Sequence, residues 1–321
     1  MRKGTMTLGP RPEFSEKEEH SDLRGTLIPA FINAHTHIGD SFISNVPAGD
    51  IPSIVGPGGF KQRMLDTADD ASIISGMKWA LNTMGSSGTY AFMDFRESGS
   101  RGVQLLRKAA SGEPLPVILG RPANGMLDLD EVIGMSDGIA PSAISDVDRY
   151  LLEAMSKSSH KAGKMFGIHF SENLRENLDD LMRARPDFIV HAIEASDDDL
   201  AVLRKHGIPV AVTPRSNIYY GKRPDYSRFF KSGMKIMIGT DNGMITPPDM
   251  FSEMSFLFTY QRGINPVSPE AVISAATEIP FQFLSSHGVR LSMRYIFYPG
   301  VFLSPYDIVT RGRYFSYKII H

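Results

Sequence analysis

The chain has 321 residues, 34 basic and 36 acidic side chains, a formal charge of −2 and no cysteine. Balanced charge leaves no electrostatic footprint for nucleic acid, and the lack of thiols removes disulfides and thiolate metal sites. No eighteen apolar residues run together, and Met1-Arg2-Lys3 leads into no sustained apolar core, so the sequence predicts a soluble cytoplasmic protein with no membrane span.

Residues 1–26 are polar and charged and have room for a strand or two. The apolar stretch Leu27–Ala34 then ends at His35 and His37. A strand carries alternate side chains on one face, so histidines at i and i+2 can reach the same point in space. Further short apolar runs read as buried parallel strands: Thr89–Met93, Pro116–Leu119, Val132–Met135, Met165–Ile168 before His169, Phe188–Val190 before His191, Ile208–Val212, and Ile236–Thr240 before Asp241. Helices are expected between them. One is predicted to start from Ser171 and run through Leu174, Leu178, Leu181 and Met182, and another to start at Ser196 with Asp197, Asp198 and Asp199 in its first turn. Phe251–Phe258 and Ala271–Phe283 read as outer helices. The tail at Val301–Leu303, Tyr306–Val309 and Tyr314–Tyr317 reads as β-rich. Gly56-Pro57-Gly58-Gly59 is a loop signal without the ending of a phosphate-binding loop.

Strand and helix in alternation predict a parallel sheet, and eight strand candidates with polar residues at their carboxyl ends predict a (β/α)8 barrel of the triosephosphate isomerase (TIM) type. The pieces Pro29–His37, His169-Phe170-Ser171-Glu172, Val190-His191-Ala192, Pro214-Arg215-Ser216-Asn217 and Gly239-Thr240-Asp241-Asn242 occur in an order and spacing that resembles the amidohydrolase superfamily. Within it they are similar to the mononuclear-metal branch of cytosine and guanine deaminases and chlorohydrolases. The resemblance implies metal ligands at His35, His37, His169 and Asp241. It also implies a catalytic His191, Glu172 as proton shuttle, and one divalent metal per chain, Zn2+ first and Fe2+ second. It adds a small β-rich satellite formed by residues 1–26 and 291–321 beside a barrel of residues 27–290. The other common zinc deaminase design, built on a P-C-x-x-C motif, is excluded by the missing cysteines.

The chemistry asks for such a set. Hydrolysing a C–N bond near neutral pH needs a nucleophile stronger than water, and a bound divalent metal lowers the pKa of its water to about 7. Asp241 is placed to take that proton, His191 to hydrogen-bond the nucleophile or polarise the substrate, and Glu172 to pass a proton to the ring nitrogen or leaving amine. A binuclear site needs a bridging lysine or glutamate, but no lysine lies between Arg121 and Lys157, and Glu131 sits at the wrong end of its predicted strand. For the substrate, Arg96 and Arg121 at strand ends are candidate anchors of a carboxylate or phosphate, with a structural ion pair the competing reading for each. Asn242 is a candidate for reading a ring edge. The expected partner is a small molecule, and a homo-oligomer stays open. The function expected is deamination of a purine, pterin or related ring. Chlorohydrolysis, another amidohydrolase reaction and a non-catalytic binding barrel are the alternatives.

Overall fold

The computed structural model describes residues 24–320. Twelve strands are present among them: β1 Gly25–Pro29, β2 Phe31–His37, β3 Thr89–Arg96, β4 Leu115–Gly120, β5 Gly138–Ile139, β6 Met165–Phe170, β7 Phe188–His191, β8 Val210–Val212, β9 Ile236–Ile238, β10 Asp241–Asn242, β11 Tyr295–Pro299 and β12 Lys318–Ile320. Nine of them form one all-parallel sheet in the order β10-β2-β3-β4-β5-β6-β7-β8-β9. Its two outermost strands, β9 and β10, are consecutive in the chain, separated only by Gly239 and Thr240, so the sheet curls round until its ends meet. Thr240 N donates to His35 O at 3.0 Å across this seam. Asn33 Nδ2 donates to Thr240 Oγ1 at 2.7 Å, and Thr240 N also lies 3.1 Å from Asn33 Oδ1. A Cβ on Gly239 would sit 2.6 Å from both Cβ and N of His35. Only a glycine lets the closing strand come this near to the strand that carries the histidine pair.

The core follows from composition. β2, β3, β7 and β9 are buried along their whole length, as expected of strands covered on both faces. Phe95 stands inside the curl, edge-on to His35 at 4.6 Å, to His169 at 5.0 Å and to Phe188 at 5.7 Å between centroids. It makes an apolar floor beneath the histidines. Helices cover the outside. Asp70–Ser86 is capped by Asp69, whose carboxylate accepts Ser72 N at 2.8 Å. Asp197–Lys205 is capped by Ser196 as the acidic first turn predicts. No helix of the described residues is long and apolar enough to cross a membrane.

Four local expectations need correction. Val132–Met135 lies in the helix Leu129–Met135, and the strand at this place in the sheet is the two-residue β5. A run of four apolar-rich residues suits either state, and here tertiary packing chose the helix. The helix expected from Ser171 starts instead at Leu178, where Asn177 Oδ1 accepts Asp179 N and Asp180 N, and Leu174 is exposed in the loop before it. Ala271–Phe283 is divided at Thr277 into Pro269–Ala276 and Glu278–Ser286. In the tail none of the three runs read as β is a strand: Tyr306–Val309 belongs to a helix, Pro305–Arg311, which Ser304 and Asp307 cap reciprocally, Val301–Leu303 is irregular, and Tyr314 ends a single 3-10 turn before the irregular Phe315–Tyr317.

A separate antiparallel sheet, β1-β11-β12, joins the start of the described chain to its tail, with Gly25 opposite Pro299 and Tyr295 opposite Ile320. The apolar stretch that precedes His35 is therefore two strands. β1 serves the small sheet and β2 the large one, with Ala30 between them donating to Arg294 O at 2.8 Å. The boundary expected at residue 27 falls inside β1, and whatever residues 1–23 add lies outside the described residues.

Candidate active site

His35 and His37 project from β2, His169 from β6, His191 ends β7 and Asp241 opens β10, all at the carboxyl end of the curled sheet. The structure brings the five together. His37 Nε2 lies 3.2 Å from His169 Nε2. Asp241 Oδ1 lies 3.3 Å from His35 Nε2 and 3.6 Å from His37 Nε2. Two sets have ligand atoms mutually within 4.8 Å: His35, His37 and His169, and His35, His191 and Asp241. His191 and Asp241 both carry positive φ, 71° and 62°. Such values are uncommon for residues other than glycine and mark backbone held in place by its surroundings.

The donor set fits a divalent cation. Buried His35 has no partner at Nδ1 and only the Asp241 carboxylate, 3.3 Å away, at Nε2, an arrangement that costs free energy unless something else takes a lone pair. Burial holds His37 and His191 down to about 3, Lys61 adding to the effect at His37 and Asp241 opposing it at His191. Burial, then the charges of His35, His37 and His191, lower His169 as well. The imidazoles of His37, His169 and His191 are thus neutral, the state in which imidazole ligates metals. Burial works to raise Asp241, but its hydrogen bond to His35 and the neighbouring imidazoles outweigh this, so its carboxyl falls well below the usual range.

Supporting contacts orient these groups. His37 Nδ1 lies 2.6 Å from Glu97 Oε1, which directs Nε2 into the cluster. Glu97 also receives Lys61 Nζ at 2.8 Å and pairs with Arg96. Lys61, His37 and Arg96 together overcome its burial and keep its carboxyl well below normal. Ser216 Oγ donates to Asp241 Oδ2 at 2.5 Å. Asn217 Oδ1 accepts Tyr226 OH at 3.0 Å, which turns its Nδ2 towards His191 Nδ1 at 3.2 Å. Thr213 Oγ1 lies 3.0 Å from the same Nδ1, and His191 Nε2 lies 3.5 Å from Glu172 Oε2. Glu172 also takes Asn217 Nδ2 at 3.4 Å. Its carboxyl is pushed up to about 8, first by burial and then by Asp241.

A cavity of about 450 Å³ opens over the cluster, lined among others by His37, His169, Glu172, His191, Asp241 and Asn242. Arg121, one residue beyond β4, lines it too. Arg96 does not. Its buried guanidinium is spent on Asp94, 3.1 Å away, and on Glu97, so the anchoring role expected of it gives way to a structural ion pair. Asn242 faces the cavity, but its Nδ2 is committed to Asp40 Oδ2 at 2.8 Å. Sequence reasoning missed Glu97, although it too lies at a strand end, next to a residue that was singled out. Lys61 gave no signal, for it reaches the site from the helix Phe60–Thr67, in the long connection between β2 and β3.

A cluster of four histidines and an aspartate at the carboxyl ends of a curled parallel sheet is where an α/β barrel places its site, and comparison with known proteins narrows the class. Residues 26–288 match the model of the amidohydrolase family, and the chain belongs to that family. A putative aminohydrolase of Archaeoglobus fulgidus is 32% identical over 264 residues, covering 82% of this chain and 76% of the relative. Among solved structures, a zinc-bound adenosine deaminase from Xanthomonas campestris superposes with a TM-score of 0.72 at 14% identity, covering 86% of this chain and 72% of that one. The zinc complex of atrazine chlorohydrolase from Arthrobacter aurescens gives 0.72 at 13%, covering 90% and 80%. The chain shares its fold with that deaminase and that chlorohydrolase.

Proposed function

We propose that the chain is a metal-dependent hydrolase of C–N bonds other than peptide bonds, deaminating a purine, pterin or related ring in the cytoplasm. The observation that carries this reading is the meeting of three buried imidazoles and an ionised carboxylate beside a carboxyl kept protonated. His35, His37, His169 and Asp241 would hold one divalent cation, zinc first and iron second. Bound there, the cation supplies the positive charge that lets a water lose a proton near neutral pH. Asp241, ionised and fixed by Ser216, accepts that proton. His191, with Asn217 Nδ2 donating to its Nδ1, would present an Nε2–H that polarises the substrate. Glu172, protonated at neutral pH, delivers a proton to the ring nitrogen or leaving amine. The Glu97 carboxylate keeps His37 in the ligating tautomer.

The test couples elemental analysis to ammonia release across a panel of purines, pyrimidines, pterins and triazines. Close to one zinc or iron per chain, with ammonia from at least one member, is the expected result. Two tightly held metals per chain would overturn the mononuclear assignment. Chloride in place of ammonia, from chlorinated triazines only, would make the chain a chlorohydrolase. Full metal loading with no product from any member would replace the hydrolase by a binding barrel.

A further inference from the structure

Three lysine or arginine side chains line the cavity, Lys61, Arg121 and Arg175. Two have carboxylates of their own: Lys61 Nζ lies 2.8 Å from Glu97 Oε1, and Arg175 Nε lies 2.8 Å from Asp199 Oδ2. Arg121 pairs with no carboxylate among the described residues, and its buried Nε has no hydrogen-bond partner. The backbone around it is pinned, its N donating to Arg96 O at 2.8 Å and its O accepting from Gly99 N at 3.1 Å. The guanidinium therefore stands at a fixed strand end and shares a wall of the cavity with His37 and His169.

A guanidinium held in a partly dry pocket without an acceptor is a cost to the fold unless something anionic enters. Its planar fork matches two oxygens of a carboxylate or phosphate. Ile51, Pro52 and Val55, from the short helix Ile51–Val55, supply apolar surface to the same cavity, suited to the face of a ring. The volume of about 450 Å³ has room for a bicyclic ring with a substituent. We propose that Arg121 is the anion subsite of this cavity, so that the substrate is a ring bearing a carboxylate or phosphate away from the bond that is hydrolysed. The inference rests on the hydrolase reading above and adds the chemical class of its substrate.

The test uses two pairs of probes that differ by one acidic group: pterin against pterin-6-carboxylate, and adenosine against adenosine 5′-monophosphate. Binding to the metal-loaded protein is read by calorimetry and turnover by ammonia release. The wild type should bind the anionic member of at least one pair about 10–100-fold more tightly than its neutral partner, the usual range for a hydrogen bond to a charged group. The pair that responds tells carboxylate from phosphate. That advantage should vanish in Arg121→Met and survive in part in Arg121→Lys, which keeps the charge without the fork. For any anionic probe that is turned over, the loss should fall mainly on KM. Equal binding within both pairs, or a preference that survives Arg121→Met, overturns the anion subsite while leaving hydrolysis intact. Anion preference without ammonia from any probe or panel compound supports the subsite and counts against the hydrolase reading instead.

Discussion

Replacing Glu172 with Gln keeps the shape of a side chain that reaches His191 Nε2 at 3.5 Å and removes its titratable proton. General acid–base contributions run to ~10²–10⁴-fold, so kcat on a verified substrate should fall by about that factor. Metal content should hold, because none of the closely grouped ligand atoms belongs to Glu172. Stability gives an independent reading. In metal-free protein the Glu172 carboxyl, raised from 4.5 to about 8, keeps a proton that the unfolded chain has already lost. Stability of the wild type therefore falls as pH climbs through that window, by about 1.4 kcal/mol per unit at the steepest, while a glutamine contributes no such slope. Chelator-treated wild type and Glu172→Gln should melt at similar temperatures at pH 5, and the variant should melt higher at pH 8. A variant that loses its metal would make Glu172 a ligand. Full activity would remove it from the mechanism, and a lower melting point than wild type at pH 8 would refute the account of its buried charge.

Two further outcomes follow from contacts around the site and at the other end of the sheet. Glu97→Gln should weaken zinc retention about 10–100-fold in a chelator competition, since His37 loses its orienting carboxylate, and unchanged retention would show that His37 needs no such partner. Asp187, whose Oδ1 is 3.5 Å from His287 Nε2, has its carboxyl lowered because His287, Phe166 N and His160 outweigh its burial, and in return it raises His287. The carboxylate stabilises the fold above its unfolded value of 3.8, and the charged imidazole does so only below about its own folded value, itself above 6.5. Asp187→Asn should consequently cost about 1 kcal/mol at pH 5.5 and less at pH 8.5; equal losses at the two pH values would show that the pair does not titrate as a unit.

The five clustered residues were legible because each needs only a position in the chain, the end of an apolar run, and the sheet converts that position into proximity. Partners that act through direction were harder to see. Arg96 and Glu97 are adjacent, yet one neutralises carboxylates inside the wall and the other holds His37, a difference set by which way each side chain leaves the strand. The His191 tautomer depends on Asn217, Thr213 and Tyr226, residues no local pattern connects. Where secondary structure was misread, a competing signal was present in the residues. Ser304 and Asp307 around Pro305 form a helix start, and this outweighs the β-rich look of Tyr306–Val309. β5 is two residues long, too short for any periodicity to announce it. Lys61 reaches the cavity from the helix Phe60–Thr67, where no local pattern connects it with Glu97.

The seam between β10 and β2 also sets an order of events in synthesis. Asn33 and Thr240 bond across a separation of 207 residues, and the same seam unites His35 with Asp241. A nascent chain that has exposed β2 through β8 already owns every imidazole of the cluster, but it lacks the carboxylate and the sheet edge that face them. Long-range closure of this kind carries a loop entropy that local helix–strand units do not, and it comes late in folding. Until then His35 and His37 stand on the open edge strand, with His169 and His191 further round the sheet. Closure of the seam between β10 and β2 is thus the event that completes the cluster, and the edge of β2 is the part of the large sheet that stays unpaired until it happens.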